Sequence, residues 1–209
     1  MNIALVQIQS AAGRISENVE RHLELSAAAE AEGANAIVFP ELSITGYEPG
    51  LAQELAMESL DLRLAPLKAA AETLAIAISV GMPLQTNGLP LISMFTFFPN
   101  GDDQIYSKLK LFVELYKRAK ALGASCVIAS AAKSQKDIVD AHAHYSKASK
   151  KFSIVTAFAN AVGPADNFIS GGRSAAWNEN GGLMGSMNNK EQGLLVVDTT
   201  SRTAQKVVR

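Results

Sequence analysis

The sequence is poor in the features that mark several protein classes. It has one cysteine, Cys126, in 209 residues. No disulfide can form within the chain, which excludes a disulfide-stapled secreted scaffold; a lone thiol fits a reducing compartment, so a cytoplasmic location is expected. Charge of one sign is also lacking: 19 basic against 20 acidic residues leave a formal net charge of -1. Such a balance gives no electrostatic footprint for nucleic acid or an anionic membrane surface. No basic segment with a signal-length apolar run opens the chain, and no apolar run approaches the ~20 residues needed to span a bilayer. Histidines are few, and His142 and His144 stand two apart on an expected helix. They project in different directions and lack the i, i+4 spacing that puts two ligands on one face. No metal or other cofactor is expected.

The sequence does have a large apolar fraction, 48%, enough for one domain with a substantial core. No repeat, low-complexity tract or dividing linker interrupts residues 1–209. Its most informative stretch is Ala36-Ile37-Val38-Phe39-Pro40-Glu41-Leu42-Ser43-Ile44-Thr45-Gly46-Tyr47. An apolar run long enough for a buried strand delivers a carboxylate at its C-terminal end. In open α/β sheets ligands sit beside those ends, which places Glu41 for chemistry. Downstream, Tyr106-Ser107-Lys108-Leu109-Lys110-Leu111 ends another strand-like run on Lys108.

Strand and helix signals alternate along the chain. Residues 3–8 form a near-continuous apolar run, as for a strand covered on both faces. Ser16 can cap a helix that runs to about Glu32 and stops at Gly33. Residues 36–39 form a second strand; helical segments follow from about Leu51 and from Pro66 to Leu74. Residues 75–80 and 91–98 are strands, and Pro99-Asn100-Gly101-Asp102 is the turn before the Lys108 strand. Helices are expected over 115–122 and 137–151, and strands over 126–130, 153–159, 173–177, 183–187 and finally 194–198. An Asn-Gly pair at Asn180-Gly181 marks a hairpin. Periodicity alone defines α/β or α+β.

The blocks Asn2-Ile3-Ala4-Leu5-Val6-Gln7, Phe39-Pro40-Glu41-Leu42 and Tyr106-Ser107-Lys108-Leu109-Lys110-Leu111 resemble, in order, segments of the nitrilase superfamily of carbon–nitrogen hydrolases. Ala159-Asn160-Ala161-Val162-Gly163-Pro164 and Gly171-Gly172-Arg173-Ser174-Ala175-Ala176-Trp177 are similar to its late strands. The resemblance implies a four-layer α-β-β-α sandwich, hydrolysis of a small amide or nitrile-like compound, and a homo-oligomer assembled through flanking helices. It also implies roles for Glu41 as base and Lys108 as the cation that stabilises a tetrahedral state. The two side chains are expected close together, on neighbouring strands of one sheet.

The family's third residue is a cysteine on a sharp turn after the lysine block. Here Leu111-Phe112-Val113-Glu114 runs directly into Leu115-Tyr116-Lys117-Arg118-Ala119-Lys120-Ala121-Leu122-Gly123-Ala124, which looks like the helix beyond that turn. An internal deletion near 112–114 is therefore expected, removing a strand from within a sheet. Cys126 starts an apolar strand-like run, where a thiol behaves as a small hydrophobe; a reactive one needs exposure and a neighbour that lowers its pKa. Lys133 follows that strand and could face the pocket mouth; Tyr47 and Asn160 could line it or hold turns. Lys147, Lys150 and Lys151 suit a helix C-terminus. Two function classes remain: a carbon–nitrogen hydrolase, and a non-catalytic homologue acting through ligand or subunit binding.

Overall fold

The structure, a computed structural model, describes residues 1–59, 61–108 and 112–208. In chain order the elements are β1 (Asn2–Gln7), α1 (Ile15–Ala31), β2 (Ala36–Val38), α2 (Ala52–Leu55), α3 (Ala65–Leu74), β3 (Ala77–Leu84), β4 (Leu91–Phe97) and β5 (Gln104–Ser107). After these come α4 (Phe112–Ala121), β6 (Cys126–Ala131), α5 (Ile138–Phe152), β7 (Val155–Asn160), β8 (Val162–Ala165) and β9 (Phe168–Gly171). The chain continues through β10 (Ala175–Trp177), β11 (Leu183–Ser186), β12 (Gly193–Asp198) and β13 (Thr203–Val208).

A seven-stranded sheet has the order β13-β12-β1-β2-β3-β4-β5, and a four-stranded sheet the order β11-β10-β7-β6. The β1–β2–β3 core of the larger sheet is parallel, flanked by antiparallel pairs. Strand alternation sorts the core into layers. Ala4, Val6, Ile37, Ile78 and Val80 face α1 and α3 on the outside of the larger sheet. Ile3, Leu5 and Val38 face the other way, against Ala157, Ala159 and Ala176 of the smaller sheet. The smaller sheet's far side packs on α5 through Tyr145, Phe158 and Trp177, and on α4 through Tyr116. The result is the α-β-β-α sandwich, with mixed α and β content throughout.

Several local expectations are corrected. Ser16 lies within α1, whose N-terminal flank is Arg14 with no side-chain cap. Ala75 belongs to the C-terminal end of α3, at φ 53°, rather than to a strand. Residues 194–198 are not the last strand: β13 pairs with them through a turn stabilised by Asp198, whose carboxylate accepts from the Thr200 N–H at 2.7 Å. The β8–β9 hairpin was also not anticipated; Val162-Gly163-Pro164 carries proline and glycine that mask its strand character.

The strands bearing Glu41 and Lys108 are not neighbours: β3 and β4 lie between β2 and β5. Among the described residues neither sheet shows a gap between its strands. Each sheet pairs consecutively, and β6 forms an edge of the smaller one. The expected junction coincides with the start of α4; residues 109–111 lie outside the described residues.

Candidate functional site

Lys108 nevertheless meets Glu41: its Nζ donates to Glu41 Oε2 at 2.7 Å. The contact spans two intervening strands because the 40–42 segment leaves β2 and crosses over β3. Gly81 on β3 is the crossing point. A Cβ there would clash with the Leu42 amide nitrogen and approach the Pro40 carbonyl oxygen to 2.8 Å. Only the absent side chain lets the loop lie this low and carry Glu41 toward β4 and β5. Leu42 accepts a positive φ of 54° in the same turn.

Helix α1 clamps that loop from below. Asn18 Nδ2 donates to the carbonyls of Ala11 and Ile44 at 2.8 and 2.9 Å. One turn on, His22 stacks on Phe39 with ring centroids 3.8 Å apart. Its Nδ1 lies 2.6 Å from the Asn18 carbonyl, which can only accept, so Nδ1 carries the proton. Nε2 then accepts from the Ser43 hydroxyl at 2.9 Å. Burial pushes the imidazole down to about 3 against the raising effect of the Asn18 carbonyl, and the ring is neutral. The smaller sheet adds a further tie: Ser130 Oγ of β6 donates to the Phe39 carbonyl at 2.8 Å.

The ion pair is asymmetric. The Glu41 side chain is 5% exposed and that of Lys108 57%. Glu41 therefore sits on the wall, and Lys108 at the mouth, of a cavity of about 260 Å³. Ile92 and Met94 of β4, Leu115 of α4 and Val127 and Ile128 of β6 contribute its apolar lining. Tyr116 and Tyr145 also line it, and burial raises both phenols, Tyr116 to about 12.

Other residues singled out in the sequence divide between site and scaffold. Lys133 reaches the cavity mouth. Asn160 is fully buried and structural: its Oδ1 accepts from the Lys133 N–H at 2.7 Å, and its Nδ2 donates to the Lys133 and Gly172 carbonyls. It thereby fixes the backbone that presents Lys133. Tyr47 stands edge-on to Phe168, ring centroids 5.5 Å apart, and its phenol is raised by burial and by the Glu41 carboxylate. His142 Nε2 contacts the Arg173 carbonyl at 2.8 Å and the ring packs edge-on to Trp177, a scaffold role. Burial lowers both His142 and His144. Among the described residues no three His, Cys, Asp or Glu side chains are placed to hold a metal ion.

Cys126 lies at the start of β6, whereas Ser130, four residues along, contacts the Glu41 loop. At strand rise this separates the sulfur from the loop by roughly 13 Å. Burial pushes the thiol up to about 12, the opposite of what a nucleophile needs.

Asn18, His22, Ser43, Gly81 and Ser130 were missed from sequence. One signal was present: Asn18, His22 and Ser26 recur every fourth residue on the face of α1 that carries Leu25 and Ala29. Polar groups in that register point inward and must find partners there.

A carboxylate and an ammonium in contact at the mouth of an apolar cavity suit recognition of a small polar group that both donates and accepts. The model of the carbon-nitrogen hydrolase family matches residues 2–140. The chain belongs to the carbon–nitrogen hydrolase family. Its fold is that of solved amidase structures from Nesterenkonia sp. AN1, an enzyme assigned to the nitrilase superfamily. A cysteine-to-alanine mutant of that amidase in complex with butyramide superposes with a TM-score of 0.84 at 22% identity, covering 95% of this chain and 90% of the other. A glutamate-to-glutamine mutant carrying acrylamide added at its active site cysteine gives 0.85 at 21% identity, covering 95% and 92%. A search of curated proteins gave no match. No helix among the described residues is long and apolar enough to cross a membrane.

Proposed function

We propose that this family member binds a small amide, or the corresponding carboxylic acid, at Glu41 and Lys108 without forming a cysteine thioester. The observation that carries this is the 2.7 Å ion pair at the cavity, with the chain's one thiol, Cys126, at the start of β6, away from the Glu41 loop. A primary amide offers its carbonyl oxygen to the Lys108 ammonium and an N–H to the Glu41 carboxylate. Thioester formation needs sulfur within attacking distance, and a base and a cation alone cannot supply it.

The direct passage from Lys108 to α4 within four residues supports an internal deletion of the family's nucleophile turn. The Nesterenkonia cysteine-to-alanine mutant with butyramide supports binding by this fold without that sulfur. A cytoplasmic chain fits the lone thiol. Self-association through the α4–α5 layer fits the exposure of Leu122 and Val139, 77% and 63%.

Titration calorimetry with butyramide and butyrate tests the reading. Wild-type protein should bind both; Lys108→Met should weaken both, whereas Glu41→Gln should weaken butyramide and, by removing a like charge, strengthen butyrate. Binding unchanged in both variants, or none in the wild type at millimolar ligand, overturns it.

A further inference from the structure

Among the described residues, strand β6 is an edge of the smaller sheet. In its parallel ladder with β7, the Ser125 carbonyl accepts from Val155 and the Ala131 carbonyl from Ala161. Odd-numbered residues therefore direct their backbone groups to β7, and Cys126, Ile128 and Ser130 direct theirs outward. Those outward groups have no backbone partner among the described residues. The edge also lacks the usual protection: Cys-Val-Ile-Ala-Ser-Ala contains no charge and no proline. Beside it lies the apolar cavity, lined by residues 127–131 of β6, with Ile128 39% exposed.

Three occupants are conceivable: an alkyl chain, the β6 edge of a second copy, and an extended peptide. An alkyl chain would fill the cavity but leave the outward N–H and C=O groups unpaired, a cost for each buried one. The edge of a second copy would have to bring its own sheet and helices into a cavity of about 260 Å³ lined by Ile92, Met94, Tyr106, Leu115, Tyr116 and Tyr145. A single extended segment fits, pairing its backbone with β6 and placing alternate side chains on the apolar walls.

Charge sets its direction. The C-terminal end of β6 lies at the cavity mouth, where Lys108 and Lys133 against Glu41 leave one excess positive charge. We propose that β6 accepts an apolar peptide by strand addition, parallel to β6, with the peptide's C-terminal carboxylate held by Lys108 and Lys133. This rests on the reading of the Glu41–Lys108 pocket as a binding site and names the class of its ligand. No bond is made or broken.

The test titrates an N-acetylated, valine-rich tetrapeptide with a free carboxylate into the full chain. Its C-terminal carboxamide and the singly N-methylated analogues are titrated in parallel. The acid should bind, and the carboxamide should bind about tenfold more weakly or worse. N-methylation at alternate positions should abolish binding, while the intervening positions tolerate it, because only every second N–H faces β6. Ile128→Pro, which removes an outward N–H from an edge strand, should weaken the acid. No peptide binding, acid and carboxamide binding equally, or N-methylation without alternation overturns the proposal. Butyramide on the wild-type protein separates the failures. Retained butyramide binding with no peptide binding sinks strand addition alone; loss of both sinks the pocket reading.

Discussion

Gly81 and Leu42 occupy space that admits no side chain between them: the Leu42 backbone rests on the position a Cβ of residue 81 would fill. This contact routes the loop after β2 across β3, and it explains how Glu41 reaches Lys108 although two strands lie between their own. Gly81→Ala should force the 40–42 loop to lift. The expected cost is about 1–3 kcal/mol in denaturant unfolding, as for overpacking against a backbone that cannot yield. Ligand binding at Glu41 should fall with it. Unchanged stability and binding would show that the loop does not depend on this close approach.

The ion pair itself should couple only modestly. Lys108 is more than half exposed, so solvent screens its attraction to Glu41. A double-mutant cycle with Glu41→Gln and Lys108→Met should return a coupling of about 1 kcal/mol. A coupling of several kcal/mol would mean that the pair is shielded from water and structural first.

The neutral His22 predicts an acid-side weakness. Its folded value of about 3 lies below the unfolded value of 6.5. Between these the unfolded state binds more protons, so stability rises with pH through that window and is flat above it. The slope from one such group is at most about 1.4 kcal/mol per pH unit. His142 and His144 are lowered too and act with the same sign. Asp61 and Asp198, held below their usual range chiefly by Arg63 and by the Thr200 N–H, add their loss nearer pH 4. His22→Gln should therefore flatten, not abolish, the decline from pH 6.5 to 4.5. An identical slope in the variant would refute the buried neutral imidazole.

The blocks around Glu41 and Lys108 were legible in sequence because each pairs an apolar run with a charge at its end, a pattern independent of distant partners. Their meeting in space was legible only by resemblance, and the strand adjacency inferred for it was wrong. That error has a physical cause. The crossing at Gly81 depends on one missing Cβ, and glycine within a strand pattern signals a close approach without saying what approaches. Asn18 and His22 show the converse: their spacing was visible, but the loop they hold comes from residues 11 and 43–44. Cys126 was placed correctly, as a strand-start thiol away from the carboxylate. The β8–β9 hairpin and β13 were not found, since Pro164 and the polar 203–206 segment hide strands that tertiary pairing imposes.

The most direct measurement is turnover of a panel of small aliphatic amides and nitriles by purified protein, with Cys126→Ser alongside. The account predicts no thiol-dependent hydrolysis by either protein, because Cys126 starts β6, whereas the Glu41 loop meets it at Ser130, and burial holds the thiol protonated. Robust turnover by the wild type that Cys126→Ser abolishes would contradict it, and would make Cys126 the nucleophile.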